Sequence, residues 1–329
     1  MRINRIIHFT LAITATLAMM SACEEEGSSP EESFEQEQRF FNIYLAANYP
    51  DAEPQTSGLY YQEHTAGAGA TPGLEDWVLV NYVAYVLPDD QVYETYIESV
   101  VKYLNQDDPE VMYGPYKMFN GANVEGVKEG ISMMREGTEA TVLFTSDLGH
   151  GSTNTGSVGA YRSLKYEIEL LEVIGDMDNM DAYEQGKIDN YLDTVAQYDT
   201  VYDANTEKAI SYIVDIATEG PLVGLDSTIS VAYKGYLLDG RVFDEKTSDD
   251  PFIFIPNSVE WGARWDLILP RLHEGEKVRM IFPYQLAYGE IGEYTSGQKV
   301  KIPPFETLIF DLEVISVEAE LPEDPSAPE

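Results

Sequence analysis

The chain has 329 residues, of which 44% are hydrophobic and 12% aromatic, enough apolar material for the cores of two domains. Its formal net charge is -38, from 58 acidic and 20 basic residues, and this field excludes nucleic acid as a partner because it repels phosphate backbones. One cysteine excludes an intrachain disulfide, and four scattered histidines give no basis for a zinc site, so we predict neither metal nor cofactor.

Residues 1–22 have the pattern of a secretory signal peptide. Arg2 and Arg5 precede an apolar stretch over 6–20, and small residues then lead to Cys23. The sequence MSAC resembles a bacterial lipobox, in which leucine is more usual at the first position. This resemblance implies that Cys23 becomes the lipidated first residue of the mature protein, anchored to the outer membrane on its periplasmic side or at the cell surface. The alternative is an ordinary secreted protein with a chance cysteine.

Residues 23–50 are interpreted as an acidic tether that ends in a short helix. The run CEEEGSSPEESFEQEQ is acidic and poor in bulky residues, which is typical of disorder, and the helix is expected at IYLAANYP. At the other end, residues 321–329 are acidic and rich in proline, and we predict a disordered tail.

The body of the chain contains one unit twice. The stretch YKGYLLDGRVFDE at 233–245 has a weaker copy, YVAYVLPDDQVYE, at 82–94. Further pairs of segments follow in the same order, about 150 residues apart, which is the pattern of a tandem duplication. We assign the first copy to residues 51–175 and the second to 205–320, with a linker that contains a short helix over 176–204.

Each copy reads as several short strands with one late helix, which predicts an α+β fold. In the second copy, residues 308–314 alternate between apolar and polar side chains, as a half-buried strand does, and EWGARWDLILPRL over 260–272 is predicted to be the short helix. The first copy contains an insertion over 94–114 whose apolar side chains have helical spacing. The acidic run DMDNMDAYEQG over 176–186 lacks the residue order of a calcium loop and is interpreted as a solvated linker.

The second copy, over residues 205–318, resembles the FKBP-type peptidyl-prolyl cis-trans isomerases. The resemblance rests on the ordered run YKGYLLDGRVFDE, PFIF, W, LHEGEKV, LAYG and IPPFETLIFDLEV. It implies two tandem FKBP-like domains, each an antiparallel half-barrel sheet wrapped around one short helix. It also implies that the family's pocket residues are, in this sequence, Tyr233, Phe243, Asp244, Phe252, Trp265, Tyr288, Ile302 and Phe310.

These residue types suit the chemistry. Rotation about an Xaa-Pro bond crosses a barrier of about 18–20 kcal/mol, and the reaction transfers no atom, so it needs no nucleophile, metal or cofactor. It needs a dry apolar slot and a geometry that favours the twisted amide. By resemblance, Trp265 forms the floor of the slot and aromatic rings form its walls. The Tyr288 hydroxyl and the backbone N–H of Ile302 are candidate donors to a substrate carbonyl.

Two departures bear on this reading. The family has an apolar pair, often Val-Ile, shortly before the floor tryptophan, and this chain has Trp261-Gly262. The first copy has Val127 where the floor tryptophan belongs, His150 where the tyrosine belongs, and Val158-Gly159-Ala160 in place of the Ile-Pro-Pro run. We therefore expect the first copy to be a scaffold or a binding module.

The sequence as a whole predicts a lipid-anchored prolyl isomerase that assists the folding of exported proteins and acts on proline-containing polypeptide clients. It resembles FKBP-like lipoproteins that are associated with gliding motility in some gram-negative bacteria. The alternative is a non-catalytic envelope lipoprotein that binds clients or a partner through both domains. Carbohydrate or matrix binding is supported by the tyrosine-rich composition alone.

Overall fold

The computed structural model describes residues 29–258, 262–297 and 299–318. The predicted signal peptide, Cys23 and the predicted tail at 321–329 lie outside these residues. The first part of the chain contains, in order, α1 (Pro30–Asn48), β1 (Tyr60–Thr65), β2 (Trp77–Val86), β3 (Gln91–Thr95), α2 (Glu98–Tyr103), β4 (Tyr116–Phe119), α3 (Glu125–Ser132), β5 (Glu139–Phe144), β6 (Leu164–Gly175) and α4 (Met177–Leu192).

The second part is almost entirely strands and short turns. Its strands are β7 (Asp199–Asp203), β8 (Lys208–Ile216), β9 (Thr228–Leu237), β10 (Val242–Lys246), β11 (Phe252–Phe254), β12 (Lys277–Phe282), β13 (Glu293–Tyr294), β14 (Val300–Ile302) and β15 (Leu308–Glu318). Short 3-10 turns lie between them, among them Trp265–Leu267, Leu269–Arg271 and Tyr284–Leu286.

The two main sheets have the same strand order. One runs β1-β5-β6-β2-β3, with β4 also paired to β2, and the other runs β8-β12-β15-β9-β10, with β11 also paired to β9. All of these pairings are antiparallel. The predicted α+β class and the duplication are therefore confirmed. The second sheet adds β7 at its edge, and the second domain also has a separate β13–β14 hairpin.

The prediction of a short helix over 260–272 is wrong for the residues that the structure describes there. They form two successive 3-10 turns, Trp265–Leu267 and Leu269–Arg271. Pro270 lies in the second turn and cannot donate the backbone hydrogen bond that an α-helix would need from it. The first domain does have the helix, as α3, whose Val127 and Ile131 are buried in its core.

The prediction of a disordered acidic tether is also wrong from Pro30 onwards, because these residues form α1. Ser29 and Glu32 make a capping box, in which the Ser29 hydroxyl accepts from the Glu32 N–H and the Glu32 carboxylate accepts from the Ser29 N–H. Glu37 is buried and accepts hydrogen bonds from the Ser146 N–H at 2.7 Å and from the Ser163 hydroxyl at 2.8 Å. The acids of this segment therefore cap and dock a helix.

The predicted solvated linker over 176–186 is the start of α4. Asp176 caps this helix by accepting from the Asn179 N–H at 3.1 Å, and Met180 is fully buried. The linker predicted over 176–204 also contains β7, which pairs with β8 and so belongs to the second sheet. The insertion helix of the first domain is confirmed but shorter than its pattern, as α2 with Val100 and Val101 buried.

A buried lysine joins the two domains. Lys117 of β4 is only 1% exposed. Its ammonium lies 2.8 Å from the Glu306 carboxylate and 3.0 Å from that of Glu184, and it donates to the carbonyl oxygen of Phe305 at 2.9 Å. Lys187 lies 2.9 Å from Glu184, which balances the charges. Burial alone would raise the pKa of Glu184, but the two lysines hold it below its ordinary value.

Apolar side chains pack on both sides of this ion cluster. Trp77 of β2 meets the Phe305 ring edge-on at 4.7 Å, and Tyr284 meets the same ring at 5.2 Å. Met112, from the insertion of the first domain, is buried in the core of the second, and its N–H donates to the Val300 carbonyl oxygen at 2.9 Å. The segment between β14 and β15 is therefore held from the first domain.

We predict that Lys117→Met lowers the free energy of unfolding by about 3–5 kcal/mol, because it leaves two buried carboxylates with a single cation. Urea titration of the full chain measures this change. Lys102→Met is the matched control, since Lys102 is paired with Glu98 at the surface and its loss should have no measurable effect. Equal stability of the two variants would show that the buried cluster contributes nothing.

Candidate functional site

An indole and three other rings form the centre of the second domain. Trp265 is 3% exposed and meets the rings of Phe310 at 5.0 Å and Tyr233 at 5.3 Å, both close to perpendicular. Phe243 meets Phe310 edge-on at 5.4 Å. Edge-to-face contacts of this kind fix ring orientation and add about 0.5–1.5 kcal/mol per pair beyond burial. The result is a rigid apolar surface with a tryptophan at its base.

Four strands and one turn supply these rings. Tyr233 comes from β9, Phe243 from β10, Phe252 from β11 and Phe310 from β15, and the turn at Trp265–Leu267 brings in the indole. Gly235 in β9 permits the arrangement, because a Cβ there would lie 2.6 Å from the Phe243 ring and 2.9 Å from that of Phe310. Because Gly235 has no side chain, it leaves room for the rings of both Phe243 and Phe310.

Two tyrosine hydroxyls add polarity to the cluster. Tyr233 donates to the Asp244 carboxylate at 2.6 Å. Burial, followed by this hydrogen bond, raises the pKa of Tyr233 above its ordinary value. Burial also raises the pKa of Tyr288, and the negative charges of Glu293 and Asp244 raise it further. Both hydroxyls therefore keep their protons at neutral pH and can donate hydrogen bonds.

The departure at Gly262 has a structural counterpart in Tyr288. A Cβ at Gly262 would lie 2.4 Å from two atoms of the Tyr288 ring and 2.8 Å from its hydroxyl oxygen. The Tyr288 ring thus leaves no room for a side chain at Gly262, where the resemblance implies a branched residue in the family. Trp261, the other half of the departure, lies outside the described residues.

All eight residues expected from the sequence lie together. Ile302 is buried in β14 and belongs to the same core as Trp265, and the partly buried rings pack against that core. Asp244 joins through its hydrogen bond with Tyr233. The cluster therefore combines the Trp265 indole, several aromatic rings and the polar groups of Asp244 and Tyr288. Their roles remain predictions.

The first domain carries the same positions with different chemistry. By strand register, Tyr166 opposite Ala84 corresponds to Phe310 opposite Gly235. The Tyr93 and Tyr166 hydroxyls hydrogen-bond to each other, and burial raises the pKa of Tyr166 to about 12.

Val127 is buried in the place of the indole, and Tyr82, the counterpart of Tyr233, is only 3% exposed. His150 follows the 3-10 turn Ser146–Leu148 as Tyr288 follows Tyr284–Leu286. The first-domain cluster thus has a smaller floor residue and a more deeply buried tyrosine than the second.

Sequence reasoning missed two features next to the site. Lys117 holds the segment that follows Ile302, and nothing in the local pattern of β4 marks this lysine as buried. The insertion of the first domain also borders a cavity of about 540 Å³ near the β13–β14 hairpin. The helical spacing of the insertion predicted a helix, but it did not predict that a cavity would lie beside that helix.

Comparison with known proteins gives the class of the second domain. Residues 222–315 match the family model described as FKBP-type peptidyl-prolyl cis-trans isomerase. The C-terminal domain is therefore an FKBP-type domain, as the resemblance implied.

Two curated relatives each match about a third of the chain. The FKBP-type 22 kDa peptidyl-prolyl cis-trans isomerase of Escherichia coli (strain K12) is 34% identical over 114 residues, which are 34% of this chain and 52% of the relative. The macrophage infectivity potentiator of Trypanosoma cruzi is 39% identical over 94 residues, 28% of this chain and 44% of the relative. The chain thus spans about half the length of the curated relatives that it matches.

Among solved structures, FkpA from Escherichia coli has a TM-score of 0.33 and 31% sequence identity, over 43% of this chain and 62% of that one.

We predict that Gly262→Ala shifts the Tyr288 ring and lowers the free energy of unfolding by about 1 kcal/mol, because a new methyl group must share the space of the ring. A crystal structure and urea titration of the variant test this. Gly186→Ala in α4 is the control, since no atom lies within 4 Å of a Cβ there, and it should raise helix stability. An unmoved ring with unchanged stability would contradict the close packing of Tyr288 on Gly262.

Proposed function

We propose that the second domain catalyses cis-trans isomerisation of Xaa-Pro bonds in polypeptide chains. The single observation that carries this proposal is the aromatic cluster around Trp265, whose rings we propose to be the floor and walls of a slot for a proline ring. The match of residues 222–315 to the isomerase family supports it.

The arrangement can promote rotation without covalent chemistry. The ring walls exclude water, so a prolyl amide in the slot loses hydrogen bonds that stabilise its planar form. A protonated hydroxyl at Tyr288 can donate to a carbonyl oxygen of the bound chain. A donor of this kind lowers the barrier only where it binds the twisted amide more strongly than the planar one. Part of the barrier of about 18–20 kcal/mol can be offset in this way.

We further propose that the first domain is not catalytic. Its cluster has Val127 in place of the floor indole, and the paired hydroxyls of Tyr93 and Tyr166 occupy the region where a proline ring would need apolar walls. The first domain instead contributes contacts that hold a segment of the second domain in place. Lys117 binds the carbonyl oxygens of Pro304 and Phe305, close along the chain to Ile302.

The location of the protein follows, as a proposal, from the sequence before the helix α1. We propose that Cys23 is lipidated and anchors the protein in the cell envelope, where it acts on exported polypeptides. Among the residues that the structure describes, no helix is both long and apolar enough to cross a bilayer. The resemblance of Met20-Ser21-Ala22-Cys23 to a lipobox supports lipidation of Cys23 as the means of attachment.

The second candidate function is binding without catalysis. The cavity of about 540 Å³ beside the first domain favours it, because such a space can hold part of a polypeptide whatever the second domain does. The two candidates differ in one measurable property, the rate at which the full chain isomerises an Xaa-Pro peptide.

We predict that Phe310→Leu lowers kcat/KM of the full chain for an Xaa-Pro peptide by about tenfold or more, because one wall of the slot is lost. Tyr166→Leu, at the same register position in the first domain, should leave kcat/KM unchanged. A protease-coupled or NMR exchange assay measures both, with circular dichroism to confirm folding. A rate loss confined to Tyr166→Leu would move catalysis to the first domain. Full-length protein with no activity would leave only the binding function.

We predict that the precursor incorporates labelled palmitate when expressed in a gram-negative bacterium and fractionates with membranes, and that Cys23→Ala abolishes both. The matched variant combines Cys23→Ala with Ser28→Cys, which restores a thiol a few residues away from the lipobox position. Labelling of this second variant would indicate unspecific thiol acylation and contradict a lipobox. Membrane association that survives Cys23→Ala would contradict lipid anchoring at this residue.

A further inference from the structure

A large cavity lies where the insertion of the first domain meets the second domain. Its volume is about 540 Å³, which is within the range of about 300–1,000 Å³ typical of ligand sites. One wall is β3 with the residue that follows it, and another is the insertion from Val101 to Tyr113. Gly297 and Lys299 from the second domain and Ser157 from the first line the rest.

The walls of this cavity are fixed by contacts that cross between the domains. The Arg241 guanidinium donates to the Tyr113 carbonyl oxygen at 2.8 Å, and the neighbouring Met112 is buried in the second core. Tyr96 stacks on Tyr116 with ring centres 5.0 Å apart. The space is thus preformed, so a ligand that enters it pays little to order its surroundings.

The wall formed by β3 is the edge of a sheet. This strand pairs with β2 on one side, and within the described residues no strand pairs with its outer side. An unpaired edge presents backbone N–H and C=O groups to any extended chain that fits beside it. The five consecutive residues from Val92 to Tyr96 all line the cavity, so this edge faces into it.

The cavity has a negative group without a matching cation. Glu94 has no ion-pair partner among the described residues, whereas the one lysine of the lining, Lys299, lies 3.4 Å from the Asp108 carboxylate. The Glu94 side chain remains accessible to solvent; partial burial raises the pKa of its carboxyl, and a hydrogen bond with Tyr82 opposes this rise. Tyr93, Tyr96 and Tyr113 also line the cavity, and the face of a tyrosine ring attracts cations.

We propose that this cavity binds an extended polypeptide segment that carries lysine or arginine, with its backbone paired to the outer edge of β3 and one cationic side chain beside Glu94. Alternate residues of such a strand point the same way, so one set meets Glu94 and the other contacts apolar surface such as Val101. This is a second polypeptide site in addition to the proposed isomerase pocket, and it requires no proline.

The test uses the full chain and a dye-labelled peptide of about eight residues that alternates lysine and valine, at about 0.15 M salt. Fluorescence anisotropy gives the Kd. A peptide with glutamate in place of lysine should not bind. A lysine–valine peptide that is N-methylated at every residue has the same charge but offers no backbone N–H to an edge, and its binding should be weaker by about tenfold or more.

Variants of the protein locate the site. Ser157→Trp fills the cavity and should weaken binding about tenfold or more, whereas Ser152→Trp, on the same exposed loop but outside the cavity, should not. Glu94→Gln should weaken binding of the lysine–valine peptide about tenfold. Equal binding to the two tryptophan variants would overturn the proposal and assign the affinity to the acidic surface as a whole. Unchanged affinity for the N-methylated peptide would overturn the edge pairing.

The lysine–valine peptide contains no proline, so its binding can be interpreted whether or not the second domain proves to be an isomerase.

Discussion

The arrangement of the two domains depends on one buried cation. An ammonium removed from water is costly unless nearly all of its hydrogen-bonding capacity is satisfied, and Lys117 meets this condition only with groups from α4 and from the segment before β15. The requirement is geometric, since a small rotation of one domain against the other would leave a charge unpaired in a nonpolar setting. The cation therefore specifies the relative position of the domains more strictly than the surrounding apolar contacts of Trp77 and Phe305 do.

The two sheets show how far side-chain chemistry can diverge on one strand order. The positions of Phe310 and Tyr166 are equivalent in register, yet one ring is part of an apolar slot and the other ends in a hydroxyl bonded to Tyr93. A backbone with this strand pairing accepts either set, because core volume is conserved while polarity changes. Function follows the side chains, and the fold alone does not decide it.

Local patterns in the sequence were sufficient for most of the strands, and the resemblance to a family was sufficient for the aromatic cluster. The eight expected residues come together because strand alternation and an ordered motif determine which face each side chain occupies. The buried charges were missed because they have partners that are distant in sequence. Glu37 and Glu184 looked solvated, but each accepts a hydrogen bond from a residue more than a hundred positions away. Lys117 looked like an ordinary strand lysine, and the helix expected around Trp265 became two 3-10 turns that contain a proline.

Met112 makes the second copy depend structurally on the first. This side chain belongs to the first copy and is buried in the core of the second, where its removal would leave a hole. Deletion of the first copy from the gene would therefore damage the core of the second. A loss of catalysis in the first copy would not make that copy dispensable, because its neighbour needs the Met112 side chain to fold stably.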